Sequence, residues 1–95
     1  MTCFELLQEL IASRLAGQAS RVSELFETEE VFKQLVALGR DSDWYHFKPK
    51  TYDGVYLVKD GNHYLTYQQE RGTRSDLYSF PDLRKAASHY FARYW

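Results

Sequence analysis

The stretch Tyr52–Phe80, YDGVYLVKDGNHYLTYQQERGTRSDLYSF, decides the fold because turn signals divide it into three consecutive strand-like segments. Asp60-Gly61 or Gly61-Asn62 supplies a residue pair suited to the primed turns of two-residue hairpins, and Gly72 marks a second turn. The stretch therefore predicts a three-stranded antiparallel meander. Its strands are expected at about residues 54–59, 63–70 and 74–80.

The first hairpin has the same side-chain parity in either register, and it places four apolar residues on one face: Tyr56, Val58, Leu65 and Tyr67. In the second hairpin, a two-residue loop groups Tyr78 and Phe80 with that face, whereas a three-residue loop places them on the opposite face. We favour the two-residue loop. Because neither face alternates cleanly between apolar and polar residues, we expect helices to cover one face and the other face to be partly exposed.

The amino-terminal segment predicts an amphipathic helix at about residues 3–16. Apolar residues recur at helical spacing from Phe4 onward. Thr2 and Glu5 have the spacing of a capping box, and Gly17 suits the left-handed residue that ends a helix.

A second helical pattern, at about residues 20–38, is interrupted near its middle. Ser20 can cap its start, but the apolar stripe fails around Thr28. There Glu29 and Glu30 follow a residue type that caps helices, and acids are favourable at a helix amino terminus. One kinked helix or two short helices satisfy this pattern.

The carboxy-terminal segment predicts a helix at about residues 81–94, because Pro81 fits the first helical position and apolar residues follow at helical spacing. It is expected to pack on the sheet through Leu83, Ala87, Tyr90 and Phe91. The predicted fold is therefore α+β, as a single domain over residues 1–95. It comprises a helical amino-terminal half, a three-stranded antiparallel β-meander and a carboxy-terminal helix packed on the sheet.

Composition narrows the classes of function. The net charge is -1, without the basic excess of a general nucleic-acid binder, although residues 1–60 hold ten acids and seven bases. Cys3 is the only cysteine, so neither an intramolecular disulfide nor a Cys-based zinc site is available. No apolar run reaches the ~20 residues that a membrane span needs, and no signal peptide is apparent. We expect a cytoplasmic monomer without membrane association or direct nucleic-acid binding.

No set of residues in the sequence forms a catalytic signature. A nuclease could combine His63 with Glu70, but seven residues of one strand separate them by roughly 23 Å at ~3.3 Å per residue. His46 is interpreted as a loop side chain and His89 as a surface side chain. We therefore expect no catalytic residues, no metal, no cofactor and no enzymatic activity, and keep a small ribonuclease-like enzyme as an alternative.

The run YLTYQQERG at residues 64–72, followed by LYSF at 77–80 and an Ala- and Tyr-rich helix, resembles small bacterial immunity proteins. These are encoded beside polymorphic toxins, including toxins of contact-dependent growth inhibition. The resemblance covers roughly the second half of the chain. It implies a non-enzymatic inhibitor that binds one cognate toxin domain, often a nuclease, and occludes its active site or substrate surface. The other alternative is a regulatory protein-interaction module without a toxin partner.

Aromatic residues also accumulate in the loop-like stretch 39–53, where they either close one end of the core or anchor an interface. The interface interpretation places acids beside the rings, where they would face a basic nuclease. The predicted partner-binding residues are Glu27, Glu29, Glu30, Asp41, Asp43, Trp44, Tyr45 and Asp53. A secondary candidate is the meander face with Tyr56, Tyr67 and Arg71.

Overall fold

The computed structural model describes residues 1–38 and 44–95, which have an α+β architecture. In chain order the elements are α1 (Cys3–Arg14), a 3₁₀ helix (Ala19–Phe26), α2 (Glu30–Ala37), β1 (Tyr45–His46), β2 (Gly54–Asp60), β3 (His63–Glu70), β4 (Thr73–Phe80) and α3 (Leu83–Tyr94). The predicted α+β class, with helices before and after the sheet, is confirmed.

Helix α1 lies close to its predicted bounds because local groups satisfy its free backbone ends. The Thr2 hydroxyl accepts a hydrogen bond from the Glu5 amide (3.1 Å), and Glu5 Oε1 accepts one from the Thr2 amide (2.9 Å). This is the predicted capping box. At the other end, the amide of Gly17, which has a φ of 77°, donates to the Ile11 carbonyl (3.0 Å) and closes the helix.

The interrupted second pattern forms two short helices rather than one kinked helix. The 3₁₀ helix ends at Phe26 and α2 begins at Glu30, so the break falls where the apolar stripe fails. The Thr28 hydroxyl accepts a hydrogen bond from the Glu30 amide (3.4 Å), but the residue that precedes α2 is Glu29, whose side chain makes no capping bond. Ser20 lies inside the 3₁₀ helix instead of capping it.

The sheet is mixed and has four strands in the order β1-β2-β3-β4. Strands β2, β3 and β4 form the predicted antiparallel meander, but β1 pairs with β2 in parallel, with Tyr45 opposite Val55 and His46 opposite Tyr56. The prediction of three strands is therefore wrong by one. Strand β1 has only two residues and lies in a stretch of loop-like composition. It is a strand because it pairs with β2, and no local sequence pattern indicates it.

Gly54 allows β1 to lie this close to β2. Its φ is 149°, and a Cβ atom at this position would lie 2.5 Å from the carbonyl oxygen of Trp44. The same carbonyl accepts a hydrogen bond from the Val55 amide (2.9 Å). A side chain at residue 54 would therefore push the two strands apart.

The β3–β4 hairpin has the two-residue loop that the sequence favours. Arg71 and Gly72 form it, with φ values of 50° and 80° that are typical of a primed turn. Further along, the register shifts between Thr66 and Gln68, and Asp76 has a φ of 54°. This is a β-bulge, which adds one residue to β4 relative to β3.

The bulge places Tyr78 and Phe80 on the helix-covered face, contrary to the prediction. Their ring centroids lie 4.5 Å and 5.2 Å from that of His89 on α3. The predicted grouping with Tyr56 and Tyr67 is therefore wrong, although the loop length was predicted correctly. The bulge has no clear signature in the sequence. Its one extra residue moves each later side chain of β4 to the opposite face of the sheet.

Helix α3 packs on one face of the sheet and closes the main core. Asp82 Oδ1 accepts a hydrogen bond from the Lys85 amide (2.8 Å), so the helix begins after this cap rather than at Pro81. The Tyr90 hydroxyl donates to the Val55 carbonyl (2.9 Å) and joins α3 to β2. The four predicted contact residues are all buried: Leu83, Ala87, Tyr90 and Phe91.

The second face of the sheet was expected to be partly exposed, but its central side chains are buried. Tyr56, Val58 and Tyr67 are at most 2% exposed. The rings of Tyr56 and Tyr67 stack with centroids 4.8 Å apart. The Arg74 guanidinium lies 4.4 Å from the Tyr67 ring centroid, and the His46 ring lies 4.7 Å from that of Tyr56. These neighbours give the sheet a small second core.

Candidate partner-binding surface

Two of the predicted acids, Glu27 and Glu29, line one cleft beside the start of α3, with a volume of about 440 Å³. Glu27 is paired within the chain, because Arg84 Nε donates to its Oε1 (2.7 Å). Arg84 Nη1 also donates to the hydroxyl of Ser23 (2.7 Å). Glu27 therefore helps to fix the 3₁₀ helix against α3.

Glu29 is the centre of a hydrogen-bonded cluster beside the β2–β3 turn. Its Oε1 accepts hydrogen bonds from Lys59 Nζ (2.9 Å) and from the Tyr64 hydroxyl, and its Oε2 lies 3.9 Å from Lys33 Nζ. The bond from Tyr64, followed by that from Lys59, lowers the pKa of Glu29. Burial, followed by the bond to Glu29, raises the pKa of Tyr64 to about 12. The carboxylate thus connects the sheet to α2.

The remaining predicted acids lie in separate places. Glu30 is exposed at the first residue of α2. Asp53 is exposed just before β2, and its Oδ1 accepts a hydrogen bond from the Arg71 amide (2.8 Å) in the β3–β4 turn. Asp41 and Asp43 lie outside the described residues. The described acids are therefore distributed between the two ends of the meander.

The two predicted aromatic anchors, Trp44 and Tyr45, lie at the β1 edge of the sheet, where two further rings contact Tyr45. Tyr45 stacks on Phe4 with centroids 5.9 Å apart, and Trp95 lies 5.3 Å from Tyr45 and 5.5 Å from Phe4. Trp44 directly precedes β1 and is 46% exposed, and Phe4 is 40% exposed. We refer to Phe4, Trp44, Tyr45 and Trp95 as the aromatic edge.

The aromatic edge is assembled from three distant parts of the chain. Phe4 lies in the first turn of α1, and Trp95 lies at the end of α3, four residues after Phe91, whose ring is 5.5 Å away. The Tyr45 hydroxyl donates to the carbonyl of Tyr94 (3.1 Å) and holds β1 against the end of α3. These contacts position the rings of Phe4, Tyr45 and Trp95 without covering them completely.

Sequence reasoning did not find Phe4 or Trp95 as members of this surface. The helical periodicity assigned Phe4 to the buried stripe of α1. Phe4 lies in the first turn of this helix, however, and its ring is half exposed. Trp95 continues the spacing of Phe91 by one further turn, a signal that places its ring on the same face of α3. No local signal connects either residue to Tyr45.

The aromatic edge and the Glu29 cluster are separate surfaces. Tyr45 is opposite Val55, whereas Glu29 bonds to Lys59, four residues further along β2. At ~3.3 Å per residue, the two positions on β2 are roughly 13 Å apart. The structure thus joins Tyr45 to Phe4 and Trp95 and not to the predicted acid at residue 29, while the Trp44 ring contacts neither Phe4 nor Trp95.

The secondary candidate surface is largely inaccessible. Tyr56 and Tyr67 are fully buried in the second core, so their rings do not face solvent. Arg71 is exposed in the β3–β4 turn. Of these three residues, only Arg71 presents its side chain at the surface.

The two residues that a nuclease could combine lie too far apart to form a catalytic pair. His63 and Glu70 are the first and last residues of β3, so they lie at opposite ends of one strand. His46 is buried in β1 instead of lying in a loop, and His89 is half-buried against the rings of β4 instead of lying free at the surface. Within residues 1–38 and 44–95, no group of three or more His, Cys, Asp or Glu side chains could hold a metal ion.

A scan against protein-family models finds no matching family, and searches of curated proteins and of solved structures find no match. In the part of the chain that the structure describes, no helix is both long and apolar enough to span a bilayer. The aromatic edge is therefore the observation from which a function can be argued.

Proposed function

We propose that this chain is a protein-binding domain that docks its partner through the aromatic edge. The observation that carries the proposal is a cluster of three rings from three parts of the chain, Phe4, Tyr45 and Trp95, that stays partly open to solvent next to the exposed Trp44. Phe4 is 40% and Trp44 is 46% exposed. Aromatic residues are enriched at the centres of protein interfaces, where they supply large contact areas. Rings that are already held in place lose little side-chain entropy on binding.

The partner that we propose is the toxic domain of a bacterial toxin, which the chain inhibits without catalysis. The resemblance of residues 64–80 to small immunity proteins supports this choice. The excess of acids in residues 1–60 supports a basic toxin domain, such as a nuclease. The bound inhibitor covers the active site or the substrate surface of the toxin. We also propose that it acts as a monomer in the cytoplasm.

The acids and the rings are expected to have different roles in this complex. Glu27 and Glu29 already form ion pairs with Arg84 and Lys59, so their charges are largely compensated within the chain. The attraction of a basic partner is therefore assigned to the remaining acids, such as the exposed Glu30. Charges of this kind change the association rate and its dependence on salt. Buried aromatic anchors instead slow dissociation.

The test is the binding kinetics of the chain with a toxin domain encoded beside its gene. Trp44→Ala and Phe4→Ala are each expected to accelerate dissociation and to weaken binding by ~2 kcal/mol or more. Tyr78→Ala is the matched control, because this ring is 44% exposed but lies on β4, at the opposite edge of the sheet. Its binding should equal that of the parent. Urea unfolding establishes that each variant is folded.

Parental kinetics in both Trp44→Ala and Phe4→Ala would remove the aromatic edge as the contact surface. An equal loss in Tyr78→Ala would show that the effect is not specific to this edge. If the adjacent toxin does not bind but another protein binds through the same rings, the docking surface stands and the toxin is the wrong partner. That outcome would favour a regulatory interaction module.

A further inference from the structure

A groove separate from the aromatic edge lies between α2 and the segment that follows β1. It has a volume of about 310 Å³, and its apolar lining comes from Phe32, Val36, Ala37, Phe47 and Pro49. This volume is at the lower end of the ~300–1,000 Å³ typical of small-molecule sites. The side chains of this lining carry no hydrogen-bonding group, so the groove suits a hydrocarbon.

The mouth of the groove is positively charged. Among the described residues, three lysines line it, Lys33, Lys48 and Lys59, together with a single acid, Glu29. Lys59 Nζ bonds to Glu29 (2.9 Å), and Lys33 Nζ lies 3.9 Å from the same carboxylate. Lys48 has no ion pair or hydrogen bond with any residue in 1–38 or 44–95. The described residues therefore give the mouth an excess of two positive charges, one of them on Lys48.

We propose that this lysine-rimmed groove, lined by the residues just named, binds a small amphiphilic anion. The hydrocarbon body of the ligand fills the groove, and its carboxylate lies beside Lys48. The apolar surface supplies most of the affinity, because removing a hydrocarbon from water is favourable in proportion to the area buried. The ammonium groups supply the preference for an anion.

A small molecule fits these residues better than a peptide segment does. A peptide brings backbone amide and carbonyl groups, and burying them without hydrogen-bond partners is costly. The side chains of the apolar lining, such as Phe32 and Phe47, offer no such partners. A fatty-acid-like ligand carries its polar group at one end only, which matches an apolar groove with a charged mouth.

The inference goes beyond the proposed function, because the groove and the aromatic edge share no residue.

The groove is tested on the full chain by titration calorimetry with three probes of equal chain length: octanoate, 1-octanol and octylamine. Octanoate is expected to bind at one site, about tenfold more tightly than octylamine, a difference that corresponds to ~1.4 kcal/mol. Added salt should weaken octanoate binding and leave 1-octanol binding unchanged.

Two variants locate the site. Lys48→Glu reverses the charge at the mouth and should weaken octanoate binding about fivefold, as expected for exposed charges. Lys85→Glu, an exposed lysine on α3, is its control. Ala37→Trp adds a ring to an exposed position that lines the groove and should abolish binding of octanoate. Ala12→Trp, at an exposed position of α1, is the control for that ring.

Equal affinity for octanoate, 1-octanol and octylamine would overturn the proposal, because it would mean adsorption without charge recognition. Parental binding in Ala37→Trp would place the ligand elsewhere, and the absence of saturable binding would remove the site. Binding of an acidic peptide but not of octanoate would replace the small molecule with a protein segment. Each of these results leaves the test of the aromatic edge unaffected, because that test uses different residues.

Discussion

Two aromatic clusters in this protein use similar rings in opposite environments. The Tyr56–Tyr67 pair is fully buried on the second face of the sheet, whereas Phe4 and Tyr45 lie at the β1 edge and remain half exposed. Arg74 covers one side of the buried pair. The comparison shows that the position of a ring relative to the sheet, and not its type, decides whether a partner can reach it.

The same comparison explains why a small domain contains eight tyrosines. Several rings fill the interior because their hydroxyl groups find acceptors there. The Tyr90 hydroxyl donates to the Val55 carbonyl (2.9 Å), and the Tyr56 hydroxyl donates to the Tyr52 carbonyl (2.6 Å). Each of these hydrogen bonds removes most of the free-energy penalty for burying the polar hydroxyl group. A high tyrosine content therefore does not by itself predict a binding surface.

The largest expected difference between the two clusters is in stability. Tyr67→Ala removes a fully buried ring and should lower the free energy of unfolding by ~3–5 kcal/mol. Phe4→Ala removes a ring that is 40% exposed and should cost no more than ~1 kcal/mol. Urea unfolding of both variants measures the contrast. Similar losses would mean that the aromatic edge is part of the core, and its role as a docking surface would be untenable.

A second prediction concerns Tyr64, a buried ring whose hydroxyl bonds to a carboxylate. Its pKa is raised to about 12 from an ordinary value of 10.0, mainly by burial and then by the bond to Glu29. Because the folded state keeps the proton longer than the unfolded state, the contribution is complete below pH 10 and is lost as the pH rises toward 12. At ~1.4 kcal/mol per pKa unit, the loss is roughly 2–3 kcal/mol.

The measurement is the free energy of unfolding in urea at several pH values from 8 to about 12, for the parent and for Tyr64→Phe. The variant should have a shallower decline in this range, because it lacks the titrating hydroxyl. Tyr78→Phe is the control, since this ring is 44% exposed. If the parent and Tyr64→Phe decline in parallel, the hydroxyl of Tyr64 does not contribute to alkaline unfolding.

Local signals in the sequence predicted the parts of the fold that depend on neighbouring residues. The capping box of Thr2 and Glu5 and the turn at Gly61 involve contacts over a few positions, so the residue types alone indicate them. Strand β1 and the bulge at Asp76 depend on pairing with other strands. Pairing across the sheet overrides local preference, and a single sequence contains no direct record of it.

The candidate site was predicted in part for the same reason. Trp44 and Tyr45 stood out because aromatic residues in a loop-like stretch need an explanation, and the structure places them at an edge. Phe4 and Trp95, which are 91 positions apart in the chain, reach Tyr45 only through folding. Glu29 was predicted as a partner-binding acid, but Lys59 and Tyr64 of the sheet form hydrogen bonds with it. Such partners cannot be inferred from the residues around it.

A third prediction tests whether β1 supports the aromatic edge. Gly54→Ala would place a Cβ atom 2.5 Å from the Trp44 carbonyl oxygen at a φ of 149°, so it should cost ~1–3 kcal/mol and detach β1. Gly61→Ala is the matched control, because this glycine also has a positive φ, 61°, but no heavy atom lies within 4 Å of its added Cβ. Faster hydrogen exchange at the Val55 amide, in Gly54→Ala alone, would identify the loss of β1. Equal exchange in the two variants would contradict it.

The smallest predicted effect separates two tyrosines that touch each other. The Tyr56 hydroxyl donates to the Tyr52 carbonyl (2.6 Å), whereas the Tyr67 hydroxyl is buried and has no hydrogen-bond partner among the described residues. Tyr56→Phe should therefore lower the free energy of unfolding by ~1 kcal/mol. Tyr67→Phe should leave it unchanged or raise it slightly, because it removes a polar group from an apolar site. Both variants keep the stacked rings, so a difference in urea midpoint reports on the hydroxyls alone. If Tyr67→Phe were the more destabilising variant, its hydroxyl would have an acceptor, and the second core would be more polar than its packing indicates.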